Sequence, residues 1–180
     1  SEYRLNDKDI EPIIDNINDN INISSEDMWT LININNSKHL SFEVLEKAMN
    51  YDESFIRAKA IELIFNKYAF EFSKDKIEGY LNEYEHHNVI YSLFKGAMDS
   101  WLKYNEESRM LIIDYFKKSL DRMSVSIRVK RFLENFGDEY SYTGIDWIDL
   151  EYNQKEILWN VWHEIFIEFF NKFPSKYTRI

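Results

Sequence analysis

Few side chains in this sequence are equipped to move a proton, hold a metal or attack an electrophile. The histidines are His39, the adjacent pair His86-His87, and His163, and none stands in an HExxH spacing. Cysteine is absent, which removes zinc–thiolate ligation, a thiol nucleophile and disulfide staples together. Glu164 and Glu168 lie one helical turn apart and have the spacing to share a cation. No histidine follows at ligand distance, and two solvated carboxylates are the simpler account. Four glycines in 180 residues leave little from which to build a phosphate cradle of backbone amides, and no nucleophile elbow is present. The spacing of reactive groups therefore implies no enzyme, no cofactor and no metal site.

One segment does concentrate charge and aromatic surface. From Phe132 to Gln154 the chain carries Glu134, Asp138, Glu139, Asp146, Asp149 and Glu151 with no lysine or arginine, which is −6 of the net −10 in 23 residues. Phe136, Tyr140, Tyr142, Trp147 and Tyr152 are interleaved with these carboxylates, as are Gly137 and Gly144. Helical periodicity lapses over roughly 15 residues here, and a loop of that length in a compact domain is usually functional. Carboxylates steer a basic partner, while tyrosine and tryptophan are the residue types that anchor interfaces. The expected partner-binding set is Asp138, Glu139, Tyr140, Tyr142, Asp146, Trp147, Asp149, Glu151 and Tyr152. The same segment admits a second role. Lys117, Lys118, Arg122, Arg128, Lys130 and Arg131 lie just upstream, opposed only by Asp121. A basic helix pair folded against the loop would neutralise it internally, and Trp147 and Ile148 would then plug the end of the fold.

Composition narrows the class of partner. A pI near 4.9 opposes direct binding to nucleic acid, because phosphates would be repelled, and favours a basic protein. Hydrophobic content of 44%, with 17% aromatic, excludes intrinsic disorder despite the charge. No apolar run approaches the roughly 20 residues needed to cross a bilayer. The polar start Ser1-Glu2-Tyr3-Arg4 lacks the apolar stretch of a signal peptide, so a cytoplasmic location is expected.

Scarce glycine and proline argue for long helices with short connections in one domain, 1–180. Pro12 suits a helix start, followed by Ile13, Ile14, Ile17 and Ile21 at helical intervals. Ser24 or Ser25 caps the next helix, which carries Trp29. Paired helices are then expected at about 38–72, 74–104 and 106–136, with Asn105 capping the first helix of the third pair. The acidic aromatic loop follows at 137–152. A last helix occupies 153–173, opened by Asn153 with Glu156 three residues on. Ile157, Trp159, Trp162, Phe166, Ile167 and Phe170 make that helix so apolar that burial between neighbours is expected.

The repeat signal lies in Ile56-Arg57, Ala60 and Leu63-Ile64, echoed by Ile127-Arg128 at a distance of 71 residues, about two periods. Val89-Ile90-Tyr91 falls near the midpoint, with Tyr91 in place of arginine, and Arg131 stands where Ala60 does in the first unit. These units resemble HEAT-like repeats over about 100 residues. The resemblance implies an all-α, right-handed HEAT-like α-solenoid of about nine helices. In it Arg57 and Arg128 would be scaffold residues bonding neighbouring loops. Solenoids present surfaces and seldom house chemistry. A small, acidic, cysteine-free helical protein with an aromatic-acidic surface is also similar to bacterial immunity proteins. That likeness implies binding to a basic, nuclease-type toxin domain in the cytoplasm, with the acidic loop filling the toxin's substrate cleft. The alternatives are a helical-repeat module of a larger scaffold or regulatory protein, and a helical-repeat enzyme such as a base-excision glycosylase with Lys117–Arg131 as its basic cleft.

Overall fold

The computed structural model describes residues 7–19, 21–33, 40–83, 86–119 and 151–172. Among them are eight α-helices and no strand, so the chain is all-α as its periodicity requires. They are α1 (Asp7–Asn18), α2 (Ser25–Ile32), α3 (Phe42–Ala48), α4 (Ser54–Lys67), α5 (Lys74–Glu83), α6 (His87–Asp99), α7 (Glu106–Ser119) and α8 (Tyr152–Lys172). Short 3-10 turns at Ala69–Glu71 and Trp101–Lys103 follow α4 and α6. The spans expected to hold pairs, 38–72 and 74–104, contain α3 and α4, which pack on each other, and α5 and α6, of which α5 packs chiefly on α7 and α6 on α4. The third pair contributes α7, and its second half lies outside the described residues.

Local chemistry sets a regular plan. Ser41, Ser73 and Asn105 stand 32 residues apart, and each side-chain oxygen accepts the amide three residues on: Val44 at 3.3 Å, Lys76 at 3.3 Å and Ser108 at 2.8 Å. These caps satisfy amides that a helix start otherwise leaves open, and they begin α3, α5 and α7. Ahead of α5 and α7 the backbone repeats as well. Phe72 (φ −74°, ψ 150°) and Tyr104 (φ −71°, ψ 142°) are the extended residues that leave each 3-10 turn.

Two details of the helix starts depart from the sequence reading. Pro12 lies inside α1, not at its start. A proline there removes one hydrogen bond of the ladder, and α1 packs only lightly on α2. At α8 the capping pair is shifted two residues: the Glu151 amide donates to Gln154 Oε1 at 2.9 Å, while Asn153 Oδ1 accepts from the neighbouring Gln154 amide. Asn153 sits within the first turn because the helix begins one residue earlier, at Tyr152.

The core is organised around α4, which packs on α2, on α3 and most extensively on α6. Ile56, Ala60, Ile61, Ile64 and Phe65 of α4 are fully buried, as are Val89 and Ala97 of α6. Each large aliphatic side chain buried this way stabilises the fold by about 1.5–3 kcal/mol. The two helices approach until Gly96 rests on the α4 backbone. A methyl group at Gly96 would stand 2.1 Å from the Glu62 carbonyl oxygen. The same register, 34 residues, recurs along the seam: Ser100 Oγ donates to the Asn66 carbonyl at 2.5 Å, and Tyr80 OH to Glu46 Oε1 at 3.3 Å in the outer layer. Tyrosines tie distant segments to main-chain carbonyls. Tyr51 OH donates to Ile23 O, Tyr68 OH to Leu40 O, and Tyr104 OH to Phe65 O. Burial pushes the Tyr104 phenol far above its ordinary pKa, which keeps it a donor. Arg57 bonds the carbonyls of Tyr51 and Asp52 at 2.7 and 2.6 Å, in the turn just ahead of its own helix.

Gly79 in α5 provides an internal contrast to Gly96, since a methyl group there meets nothing within 4 Å. Gly79→Ala should stabilise the protein by about 0.5–1 kcal/mol through helix propensity. Gly96→Ala should destabilise it by about 3 kcal/mol, because the propensity gain is overwhelmed by separating two packed backbones. Urea unfolding of both variants checks the pair, and equal effects at the two positions would show that the α4–α6 seam is not closed by glycine.

Candidate functional site

Most of the acidic aromatic segment, Asp138, Glu139, Tyr140, Tyr142, Asp146, Trp147 and Asp149 included, lies outside the described residues. Its described end is Glu151 and Tyr152 at the start of α8, and both are exposed, Tyr152 to 83%. The basic run is described only at Lys117 and Lys118. Lys117 Nζ pairs with Glu164 Oε2 of α8 at 3.1 Å, so one of the expected basic residues is engaged by the last helix, while Glu164 stays exposed to solvent. α8 packs on α7 and on the Trp101–Lys103 turn. Ile157 meets the core, but Trp159 is 55% exposed and Ile167 is exposed too, so these two apolar residues are not buried as expected.

A second acidic aromatic surface, unexpected from the sequence, joins α2 to the start of α4. α2 is capped by Ser24, whose hydroxyl accepts the Asp27 amide at 3.1 Å. Ser25 is thereby released to reach across to α4, and its hydroxyl donates to Glu53 Oε1 at 2.6 Å. One turn further along the same face of α2, Trp29 meets Phe55 edge-on, with ring centroids 4.9 Å apart. These two contacts stitch α2 to the start of α4. The rings meet at the surface, with Trp29 38% and Phe55 49% exposed.

Beside this seam lies a cleft of about 450 Å³ between the 17–28 segment and the α3–α4 connection. Its apolar part is Ile17, Ile23 and Met28, and its polar wall is Asn22, Asn50, Tyr51, Asp52 and Glu53. Lys47 also lines it, with Nζ held 2.9 Å from the Ile17 carbonyl. The local potential is negative: the Tyr51 phenol is raised above its ordinary pKa by burial first, then by Asp27 and Glu53. The Glu53 carboxyl is held below its usual range, chiefly by the Ser25 hydroxyl, with its own backbone amide and Arg57 adding to the effect against partial desolvation. Ser25 and Glu53, joined hydroxyl to carboxylate, line the cleft as well. Among the described residues no three histidine, aspartate or glutamate side chains gather to hold a metal ion. His86 serves as the cap of α6, its Nδ1 accepting the Asn88 amide at 3.2 Å. No helix among the described residues is long and apolar enough to cross a membrane.

A signal for this surface does exist in the sequence. Tyr51-Asp52-Glu53-Ser54-Phe55 is itself an acidic aromatic stretch, read there only as the approach to the Ile56-Arg57 unit.

The Ser25–Glu53 bond makes a pH prediction with a definite sign. A carboxyl whose folded pKa is depressed stabilises the fold above its unfolded pKa, and that contribution is lost as pH falls through the lower, folded value. Ser25→Ala removes the largest cause, so the Glu53 titration midpoint, followed by carboxyl ¹³C NMR, should move up towards the ordinary glutamate value of about 4.3. The variant should also lose less stability than the parent on acidification. An unmoved midpoint would assign the depression to Arg57 and the backbone instead. Comparison of the whole chain with models of protein families, with characterised proteins and with solved structures returned no match.

Proposed function

We propose that the chain is a HEAT-like helical-repeat protein, a right-handed α-solenoid without catalytic function, that works by binding another protein. The observation that carries this reading is the recurrence of one building plan. Caps at Ser41, Ser73 and Asn105 follow one another every 32 residues, and contacts between successive pairs keep one register of 34, through Glu62–Gly96 and Asn66–Ser100 in one layer and Glu46–Tyr80 in the other. Repetition of that kind produces extended surface and no enclosed reaction chamber.

Charge then selects the partner. A net charge of −10 repels nucleic acid and accelerates encounter with basic proteins. We read the chain as an immunity protein that binds and blocks a basic, nuclease-type toxin domain in the cytoplasm. The acidic aromatic segment would enter the cleft where phosphate normally sits, with Tyr142 and Trp147 as anchors. Exposure of Glu151 and Tyr152 at its described end supports this use. The cap recurrence by itself would serve a repeat module of a larger scaffold equally well, and the concentration of carboxylates favours the inhibitor.

Tagged protein retained on a column should recover one small basic partner in equal stoichiometry from its source cells, and recovery should fall at high salt. Neutralising Asp146, Asp149 and Glu151 together should slow association with that partner about tenfold at low salt and flatten the salt dependence, with helical circular dichroism unchanged. Unchanged association rates would remove the segment as the binding surface.

A further inference from the structure

Aromatic rings that could pack inward are normally buried, and α2 buries Met28, Leu31 and Ile32 without difficulty. Trp29, between Met28 and Leu31 in the same helix, is instead held against Phe55 at the surface. The edge-on contact fixes both rings, so the apolar face they present loses little side-chain freedom on meeting a partner. Tryptophan and other rigid aromatics in that situation are the residues that dominate binding energy at interfaces.

The neighbouring cleft adds a polar element to this apolar one. It shares Ser25 and Met28 with α2 and reaches the Asp52-Glu53 step just ahead of Phe55. Ile21, 54% exposed, lines it as well. An apolar floor beneath a carboxylate wall matches a lysine or arginine side chain, which buries its methylene stem while keeping the cation at a polar edge. Four carboxylates, Glu26, Asp27, Asp52 and Glu53, surround the seam, against the two cations Lys47 and Arg57. Both cations direct N–H groups to main-chain carbonyls, Lys47 to Ile17 and Arg57 to Tyr51 and Asp52. Four carboxylates against two cations leave a local balance of −2, so the field offered outward is acidic.

We infer that the surface made by α2 and the start of α4 is a docking face for a basic segment of a partner protein. Trp29 and Phe55 take an aliphatic residue of that segment. Asp52 and Glu53, at the mouth of the cleft, accept its lysine or arginine. The inference rests on the reading of the chain as a protein binder, but assigns residues other than those of the 138–152 segment.

The test uses the full chain, ¹⁵N-labelled, titrated with a soluble twelve-residue peptide of arginine, leucine and glycine, and separately with its counterpart carrying glutamate for arginine. Saturable shifts are expected at the Trp29 indole N–H and at the Asp52, Glu53 and Phe55 amides with the basic peptide only. Trp29→Ala/Phe55→Ala should weaken binding at least tenfold, and Asp52→Asn/Glu53→Gln should remove most of its salt dependence. Both rings are already partly in water, so the aromatic double variant keeps its core, and the shift map of the unsubstituted protein needs no variant at all. Shifts confined to other surfaces, equal response to the acidic peptide, or unchanged affinity in the aromatic variant would overturn the docking face and leave the binding function standing. Failure of the basic peptide to bind anywhere would overturn both. A face already occupied by a second copy of this chain would appear as a dimer in sedimentation before any peptide is added, and would overturn the assignment to a basic partner.

Discussion

The contact between Gly96 and the α4 backbone at Glu62 is the constraint on which the arrangement of helices depends. With no side chain intervening, α6 settles onto α4 closely enough for Ser100 to bond the Asn66 carbonyl and for Tyr104 to reach that of Phe65. α4 is then committed on three sides, to α2, α3 and α6, and every other described helix is placed relative to that trio. A glycine inside a helix costs about 1 kcal/mol relative to alanine. The burial of several large aliphatic and aromatic side chains along α4 and α6 exceeds that several-fold. The balance of these magnitudes explains why a poor helix former occupies the middle of a core helix.

How much of this was legible beforehand depended on whether the signal is local. Helix starts that rest on a short polar side chain could be read: Ser24 and Asn105 cap as expected, because the cap bond spans three residues and needs no tertiary context. Pro12 sits inside α1 because it removes only one ladder bond while Ile10 and Ile17, buried on either side of it, hold the helix to the core, and no local rule reports what α1 packs on. The α8 cap was missed by two residues because Asn153-Glu156 and Glu151-Gln154 offer nearly the same pattern, and only the backbone decides between them. The repeat expected from Ile56-Arg57 has its echo, Ile127-Arg128, outside the described residues. Among the described residues a different spacing, 32 residues, separates the caps Ser41, Ser73 and Asn105, whose differing residue types hide a common role.

The site was less legible than the fold, for a related reason. Charge counted along the chain favours one long segment such as 138–152. The α2–α4 surface is assembled from two short stretches, Ser25–Trp29 and Tyr51–Phe55, neither exceptional alone. Their conjunction follows from α2 packing on α4, a tertiary fact. Exposure was equally hard to anticipate. Trp29 and Trp159 sit in apolar helices and count towards a core in any periodicity argument, yet each shows a substantial part of its surface to solvent.

The tyrosine ties carry a consequence for how such a protein tolerates sequence drift. Tyr51, Tyr68 and Tyr104 each supply a donor, while Ile23, Leu40 and Phe65 supply only a main-chain carbonyl. Every residue type has that carbonyl. The accepting position can therefore change identity, so long as its packing is served, without breaking the bond, and the link is specified by one residue instead of two. Connections made this way halve the number of coordinated changes needed to preserve a junction between segments. Two descendants of such a chain can then keep the same junctions while sharing few of the residues on the accepting side.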